Sequence, residues 1–161
     1  MSATSTPEPS SQQSTTEAPP DQLCTFNVAG QRFGLDVRSV QEIIRLQEMT
    51  PVPLASSVVR GLINLRGQIV AAIDMRERLH MHDAPGVESP MNVVVRGPEG
   101  PISLLVDDIG DVIQVEESQL ESPPGNLQSP LRDLVHAVYK LPGQLLLVLE
   151  TERVIQVDAA N

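Results

Sequence analysis

Aromatic side chains are nearly missing: Phe26, Phe33 and Tyr139 make up 2% of the 161 residues, and there is no tryptophan. A core built from this chain must be Val, Ile and Leu. Recognition of nucleic acid by base stacking, which needs several exposed rings, is excluded. Cys24 is the only cysteine, so no internal disulfide can form. No apolar run approaches the roughly 20 residues of a membrane-spanning helix; the longest are Ile69–Ile73 and Leu145–Leu149. The N-terminus has neither the basic nor the apolar region of a secretory signal. Positive charge is scarce, with 11 Lys and Arg against 21 Asp and Glu and a net charge of −10. Such a chain repels phosphate backbones and anionic lipid surfaces. It is expected to be cytoplasmic and soluble, with no nucleic acid and no membrane insertion among its interactions.

The charge is unevenly spread. Residues 1–22 carry three acids and no base, residues 23–82 seven arginines against five acids, and residues 83–161 four bases against 13 acids. Two faces with different partners fit this asymmetry, as does a solvated acidic surface that maintains solubility. Residues 1–22 hold nine Ser or Thr, four Pro and three Gln, with no Val, Ile, Leu or aromatic residue. This segment cannot offset its ordering entropy by burial and reads as a disordered tail. Deleting residues 1–21 is therefore expected to leave the unfolding temperature unchanged by calorimetry; a clear drop would show that the segment packs.

From Leu23 the pattern turns to short β-like runs separated by turn residues. Leu23–Val28 and Gln31–Leu35 read as a hairpin around Gly30, and Val37–Ser39 as a bend leading to a strand at Val40–Leu46. Pro51 and Pro53 keep Met49–Leu54 extended and out of a sheet centre. A helical turn is expected at Ala55–Val59. Gly61–Leu65 and Gln68–Ile73 form a second hairpin. Asp74 is placed to cap a short helix over Met75–His82, with Glu77 as its capping-box partner. Beyond the loop at 83–90, strands are expected at Asn92–Arg96, Ile102–Val106, Ile109–Val115, Leu134–Leu141 and Leu145–Leu149, with a loop at Glu116–Ser129 and a helical turn at Glu150–Val154. Nine or ten short strands with evenly spaced turns indicate a small barrel or sandwich, and the mid-chain break allows two barrels. No exact internal repeat is visible.

Catalytic constellations are not evident. Cys24 lies in an apolar strand pattern, which fits a buried thiol better than a nucleophile. His80, His82 and Asp83 loosely resemble a metal site, but residues two apart diverge on a helix, and cationic groups also suit a helix C-terminus. His136 alternates with apolar residues and has no evident carboxylate partner. Asp107-Asp108-Ile109-Gly110-Asp111 spells DDxxD, an oxygen-rich cluster of the kind hard cations favour. Between two strand patterns it reads as a carboxylate-lined turn. No GxGxxG, P-loop, HExxH, GxSxG or CxxC is present. No metal, no cofactor and no enzymatic activity are expected.

The most specific stretch is Gly61-Leu62-Ile63-Asn64-Leu65-Arg66-Gly67-Gln68-Ile69-Val70, followed by Ile73-Asp74-Met75-Arg76. It resembles the G-x-I-N-L-R-G-x-I-V-P-x-x-D-L-R signature of the CheW family of chemotaxis coupling proteins. Phe33-Gly34-Leu35-Asp36, Val40-Gln41-Glu42-Ile43, Thr50-Pro51-Val52-Pro53 and Leu105–Ile113 are similar to further motifs of that family, in the same order. The likeness runs from about Leu23 to Ile155. Ala71 and Ser56 stand where the family usually has proline, and a longer C-terminal helix of some members has no counterpart.

The resemblance implies an all-β fold of two side-by-side SH3-like five-stranded barrels with a few short helical turns. They would occupy residues 23–157, with 158–161 a short terminal tail. It implies a non-enzymatic adaptor that links chemoreceptors to a CheA-type histidine kinase, recruited to membrane receptor arrays. The receptor's helical tip would bind in a groove between the barrels, at Val40, Glu42, Gly61, Arg66, Val93 and Val112. The kinase regulatory domain would meet the first barrel near Gly30, Phe33 and Val37. Asn64, Gly67 and Asp74 are expected to be structural. Arg66 and Glu42 are expected to approach each other beside the receptor groove, since arginine's planar fork suits a carboxylate; the alternative is that Arg66 caps carbonyls of its own turn. A detached kinase regulatory domain shares the fold, and a small-ligand-binding or hydrolytic β-barrel is the reading from a different class.

Overall fold

The computed structural model describes residues 22–82 and 85–157. The expected tails at 1–22 and 158–161 lie outside the described residues, Gln22 excepted, as does Asp83. Among the described residues eleven strands form two sheets. One sheet has six strands in the order β8 (Asp108–Gln114), β1 (Gln22–Val28), β2 (Gln31–Asp36), β11 (Gln144–Leu149), β10 (Val135–Leu141) and β9 (Leu120–Glu121). The other has five, in the order β3 (Val40–Arg45), β6 (Met91–Gly97), β7 (Gly100–Val106), β5 (Gln68–Asp74) and β4 (Val59–Leu65). Among the described residues there are also three short α-helices, α1 (Met75–Leu79), α2 (Leu131–Leu134) and α3 (Thr151–Val154).

Each sheet is drawn round on itself by the chain leaving one edge. After β3 the chain runs to Thr50, which exchanges two backbone hydrogen bonds with Leu62 of β4 at 2.9 and 2.8 Å. After β8 it returns as β9 to pair with β10. This sixth strand is two residues long and lies within the stretch expected to be loop. The two halves repeat one topology. In each, a hairpin ends in a strand that pairs in parallel with a third, β5 with β7 and β11 with β2, and a short helix follows at once. The repeat is carried by Gly67-Gln68 and Gly143-Gln144, each followed by five apolar residues and one acid.

The cores explain the apolar runs. Phe26, Phe33, Leu147 and Leu149 of one sheet meet Ile73, Val93, Val95, Leu104 and Val106 from the other half in a shared core. Leu23, Val115, Leu146 and Val148 form a separate cluster in the six-stranded sheet, and Ile63, Leu65, Val70 and Val94 another in the five-stranded one. Strands β6 and β11 therefore bury both faces. Continuous hydrophobic runs such as Val93-Val94-Val95 are the sequence form of that placement.

Local elements also depart from expectation before β4 and around Asp74, and α2 was not expected at all. No helix forms over 55–59; Val59 N–H donates to Ser56 C=O at 2.9 Å, a single turn before β4. The helix after Asp74 ends at Leu79, because His80 adopts a left-handed conformation at φ 56°. Asp74 accepts from the amides of Arg76 and Glu77 at 3.0 and 3.4 Å, but Glu77 does not close a capping box, since the Asp74 amide donates to Val58 C=O. Arg78 of α1 then donates to the carbonyls of Arg153, Val154 and Gln156, tying the two halves together at the end of α3.

Candidate functional site

Leu65 pairs with Gln68, so Arg66 and Gly67 are the two loop residues of the β4–β5 hairpin. Both have positive φ, 53° and 86°. That is the left-handed geometry of a tight hairpin loop, which glycine accepts at no steric cost. Asn64 Oδ1 accepts from the Gly67 amide at 2.8 Å and holds the turn. Arg66 is thereby thrown out to solvent, its side chain 72% exposed. Its guanidinium forks onto Glu42 of β3, with Nη1–Oε2 at 2.6 Å and Nη2–Oε1 at 2.7 Å. A register shift between Val40 and Glu42 marks a bulge, the device that re-aims a side chain at a sheet edge.

The pair spans the seam between the two edges of the five-stranded sheet, because β3 is one edge and the β4–β5 turn extends the other. The hydrogen bond from Arg66 holds the Glu42 carboxyl below its usual range, and the bond to Glu42 raises the Arg66 guanidinium. Ile43, Leu46 and Ile69 are exposed large apolar residues of the same sheet region. A shallow groove lined by Gln47, Thr50, Leu62, Asn64 and Ile69 runs over its surface.

The six residues expected at the receptor face divide. Arg66 and Glu42 meet, Val112 is 55% exposed on edge strand β8, and Val40 is half-buried against the shared core. Val93 is fully buried in that core and offers no side chain to a partner. Gly61 is buried as well: a Cβ there would lie 2.9 Å from Thr50 O and 3.1 Å from Met49 Cβ. The middle of the space between the sheets is filled by the shared core. Of the kinase-side residues, Gly30 is exposed at the β1–β2 turn and Val37 half-buried in a 3-10 turn. Phe33 is fully buried and stacks on Phe26 at 6.0 Å, so it belongs to the core and not to a docking surface. Ile43, Leu46 and Ile69 were not singled out by sequence, because an exposed isoleucine in an apolar run carries no local mark.

Most of the groups with catalytic potential have partners within the fold. Cys24 is buried, and burial raises its thiol, the reverse of an activated nucleophile. His136 does have a carboxylate partner, with Glu150 Oε1 3.3 Å from its Nδ1. His82 Nδ1 lies 3.6 Å from Glu77 Oε2. Within the DDxxD stretch, Asp107 accepts from Arg76 and Asp108 from Asn27 Nδ2 at 2.6 Å, while Thr25 Oγ1 donates to the Asp111 carbonyl at 2.6 Å. Among the described residues no three His, Cys, Asp or Glu side chains converge as metal ligands. Titration calorimetry with magnesium is expected to give only weak, non-stoichiometric heats. A tight one-to-one isotherm would overturn the carboxylate-lined-turn reading.

A family model described as a CheW-like domain matches residues 22–159. The chain is similar to a chemotaxis protein CheW of Treponema pallidum, 28% identical over 137 residues that cover 82% of this chain and 80% of the relative. It is also similar to a chemotaxis protein CheW of Bacillus subtilis, 26% identical over 141 residues that cover 88% and 90%. The crystal structure of the scaffolding protein TtCheW from Thermoanaerobacter tengcongensis superposes with a TM-score of 0.75 at 23% identity, covering 89% of this chain and 97% of that one. Among the described residues no helix is long and apolar enough to cross a membrane.

Proposed function

The chain belongs to the CheW-like domain family, and on that premise we propose that it is a non-enzymatic adaptor coupling chemoreceptors to a CheA-type histidine kinase. The observation that carries the reading is the family match, which runs through both sheets. The adaptor works in the cytoplasm and is recruited to membrane receptor arrays. Its receptor face is centred on the Arg66–Glu42 pair, with Val40 and Val112 as further contacts. Gly61 acts from beneath by letting the 49–50 segment lie against β4. The receptor's cytoplasmic helical tip supplies an amphipathic helix, which suits a rim of exposed apolar residues beside a fixed ion pair. The kinase regulatory domain docks at the β1–β2 turn, around Gly30 and Val37. A ligand-binding or hydrolytic barrel is less well supported, because Leu23, Leu146 and Val148 fill the six-stranded sheet's own cluster and Ile63, Val70 and Val94 that of the other.

The test is sedimentation of the full chain with a soluble receptor helical tip and an isolated kinase regulatory domain. Each should bind alone, and the three should travel as one complex. Mutual exclusion of the two partners, or binding of neither, contradicts the reading.

A further inference from the structure

The chain passes between its two sheets twice. The first passage, β2 to β3, uses the 3-10 turn Val37–Ser39. The second is a single residue, Asp107, between Val106 of β7 and Asp108 of β8. Its carboxylate is the meeting point of both halves. Arg76 of α1 donates to it through Nε at 3.0 Å and Nη2 at 2.7 Å. The Ala29 amide of the β1–β2 turn donates to the same Oδ2 at 2.7 Å. The Asp107 amide donates in turn to Asn27 C=O at 3.0 Å. Arg76 Nη2 also reaches the Pro85 carbonyl at 2.7 Å. The side chains of Arg76 and Asp107 are 20% and 11% exposed.

Ala29 has φ 51°, and Gly30 after it φ 85°. A left-handed conformation costs a residue with a Cβ roughly 1–2 kcal/mol. Val28 pairs with Gln31, so Ala29 and Gly30 are the two loop residues of the β1–β2 hairpin, whose tight turn requires that conformation; the Asp107 oxygen adds a charged acceptor on the Ala29 N–H there. Arg76 is itself fixed, because its amide donates to Asp74, whose other oxygen receives Arg60 of β4 at 2.7 Å. A continuous row of charges thus leads from β4, through Asp74 and Arg76, to the backbone of the β1–β2 turn. The shared apolar core already joins the sheets. A plain tie between sheets would need only the ion pair; the third hydrogen bond is directed at the turn.

We propose that Asp107 and Arg76 are positioning residues that preset the β1–β2 turn for the kinase regulatory domain. This rests on the reading that the kinase docks at that turn. The pair acts through the conformation of Ala29 and Gly30 and touches neither partner.

Affinities of the full chain for the isolated kinase regulatory domain and for a soluble receptor helical tip are measured separately, together with hydrogen exchange at the Ala29 amide. Asp107→Ala removes both the ion pair and the acceptor. It is expected to weaken kinase-domain binding about tenfold or more, the factor that follows from losing hydrogen bonds to a partly buried charge. Arg76→Gln leaves the carboxylate for Ala29 and is expected to give a smaller loss. Receptor-tip affinity should stay within about twofold in both, as for substitutions remote from a binding surface. Exchange at Ala29 should speed up most in Asp107→Ala. Unchanged kinase-domain affinity in either folded variant, or an equal fall in both affinities, overturns the proposal. Should Asp107→Ala fail to fold, Arg76→Gln decides by the same split. Failure of the unaltered chain to bind the kinase domain would sink the docking assignment instead, and unchanged Ala29 exchange in the variants would then sink the positioning role by itself.

Discussion

Gly61→Ala is expected to lower the unfolding free energy by about 1–3 kcal/mol, the range for a methyl forced into a filled site, and to abolish receptor coupling. A Cβ on Gly61 would stand 2.9 Å from the Thr50 carbonyl oxygen and 3.3 Å from its carbon. The obstruction is backbone, not the end of a flexible side chain, so the 49–50 segment must move. That segment is held to β4 by the two hydrogen bonds between Thr50 and Leu62, and moving it opens the seam that Arg66 and Glu42 bridge. Gly125→Ala is the control, since a Cβ there meets nothing within 4 Å. Equal denaturant midpoints for the two variants would show that the close approach carries no weight.

The second large effect concerns binding and leaves folding almost untouched. Arg66→Ala and Glu42→Ala are each expected to cut receptor coupling strongly. Arg66 is largely exposed, and exposed ion pairs contribute little to stability. The two losses should not add, because each substitution breaks the same ion pair. A double-mutant cycle on receptor-tip affinity checks this, and strict additivity would remove the pair from the mechanism. The pair also sets a pH dependence. The Glu42 carboxyl is lower in the folded chain than its ordinary value, owing to the hydrogen bond from Arg66. Whatever the pair contributes is present above the ordinary carboxylate range and is lost as pH falls through the lowered folded value. In Arg66→Ala the Glu42 titration, followed by NMR, should move back up.

Much of the architecture was written in local chemistry. Arg66-Gly67 and Gly143 mark hairpin loops where positive φ is needed, and Pro51 and Pro53 keep their segment off the sheet centre. Asp74 announced a helix start and caps it, although the left-handed His80 ends that helix earlier than the periodicity implies. The choice of face was not legible. In Val93-Val94-Val95 alternate residues enter different cores, so the run carries no alternation to separate surface from interior. Val93 and Phe33 consequently read as surface candidates and prove to be core. The two-residue strand β9 has no sequence signal at all, because its pairing with Val138 and Tyr139 is imposed from outside. The His136–Glu150 contact is likewise made by hairpin register, 14 residues apart in sequence. The Arg66–Glu42 pair was foreseeable from the fork-and-carboxylate chemistry, but its place across the sheet seam required the strand order.

The most direct measurement is autophosphorylation of the kinase in membranes carrying its chemoreceptor, with and without this chain. Kinase activity should rise and become sensitive to the receptor's ligand only when the chain is present. The Arg66→Ala variant, folded and still bound to the kinase regulatory domain, should fail to confer that sensitivity. Receptor control of the kinase without the chain, or full control with Arg66→Ala, would contradict the adaptor role centred on this pair.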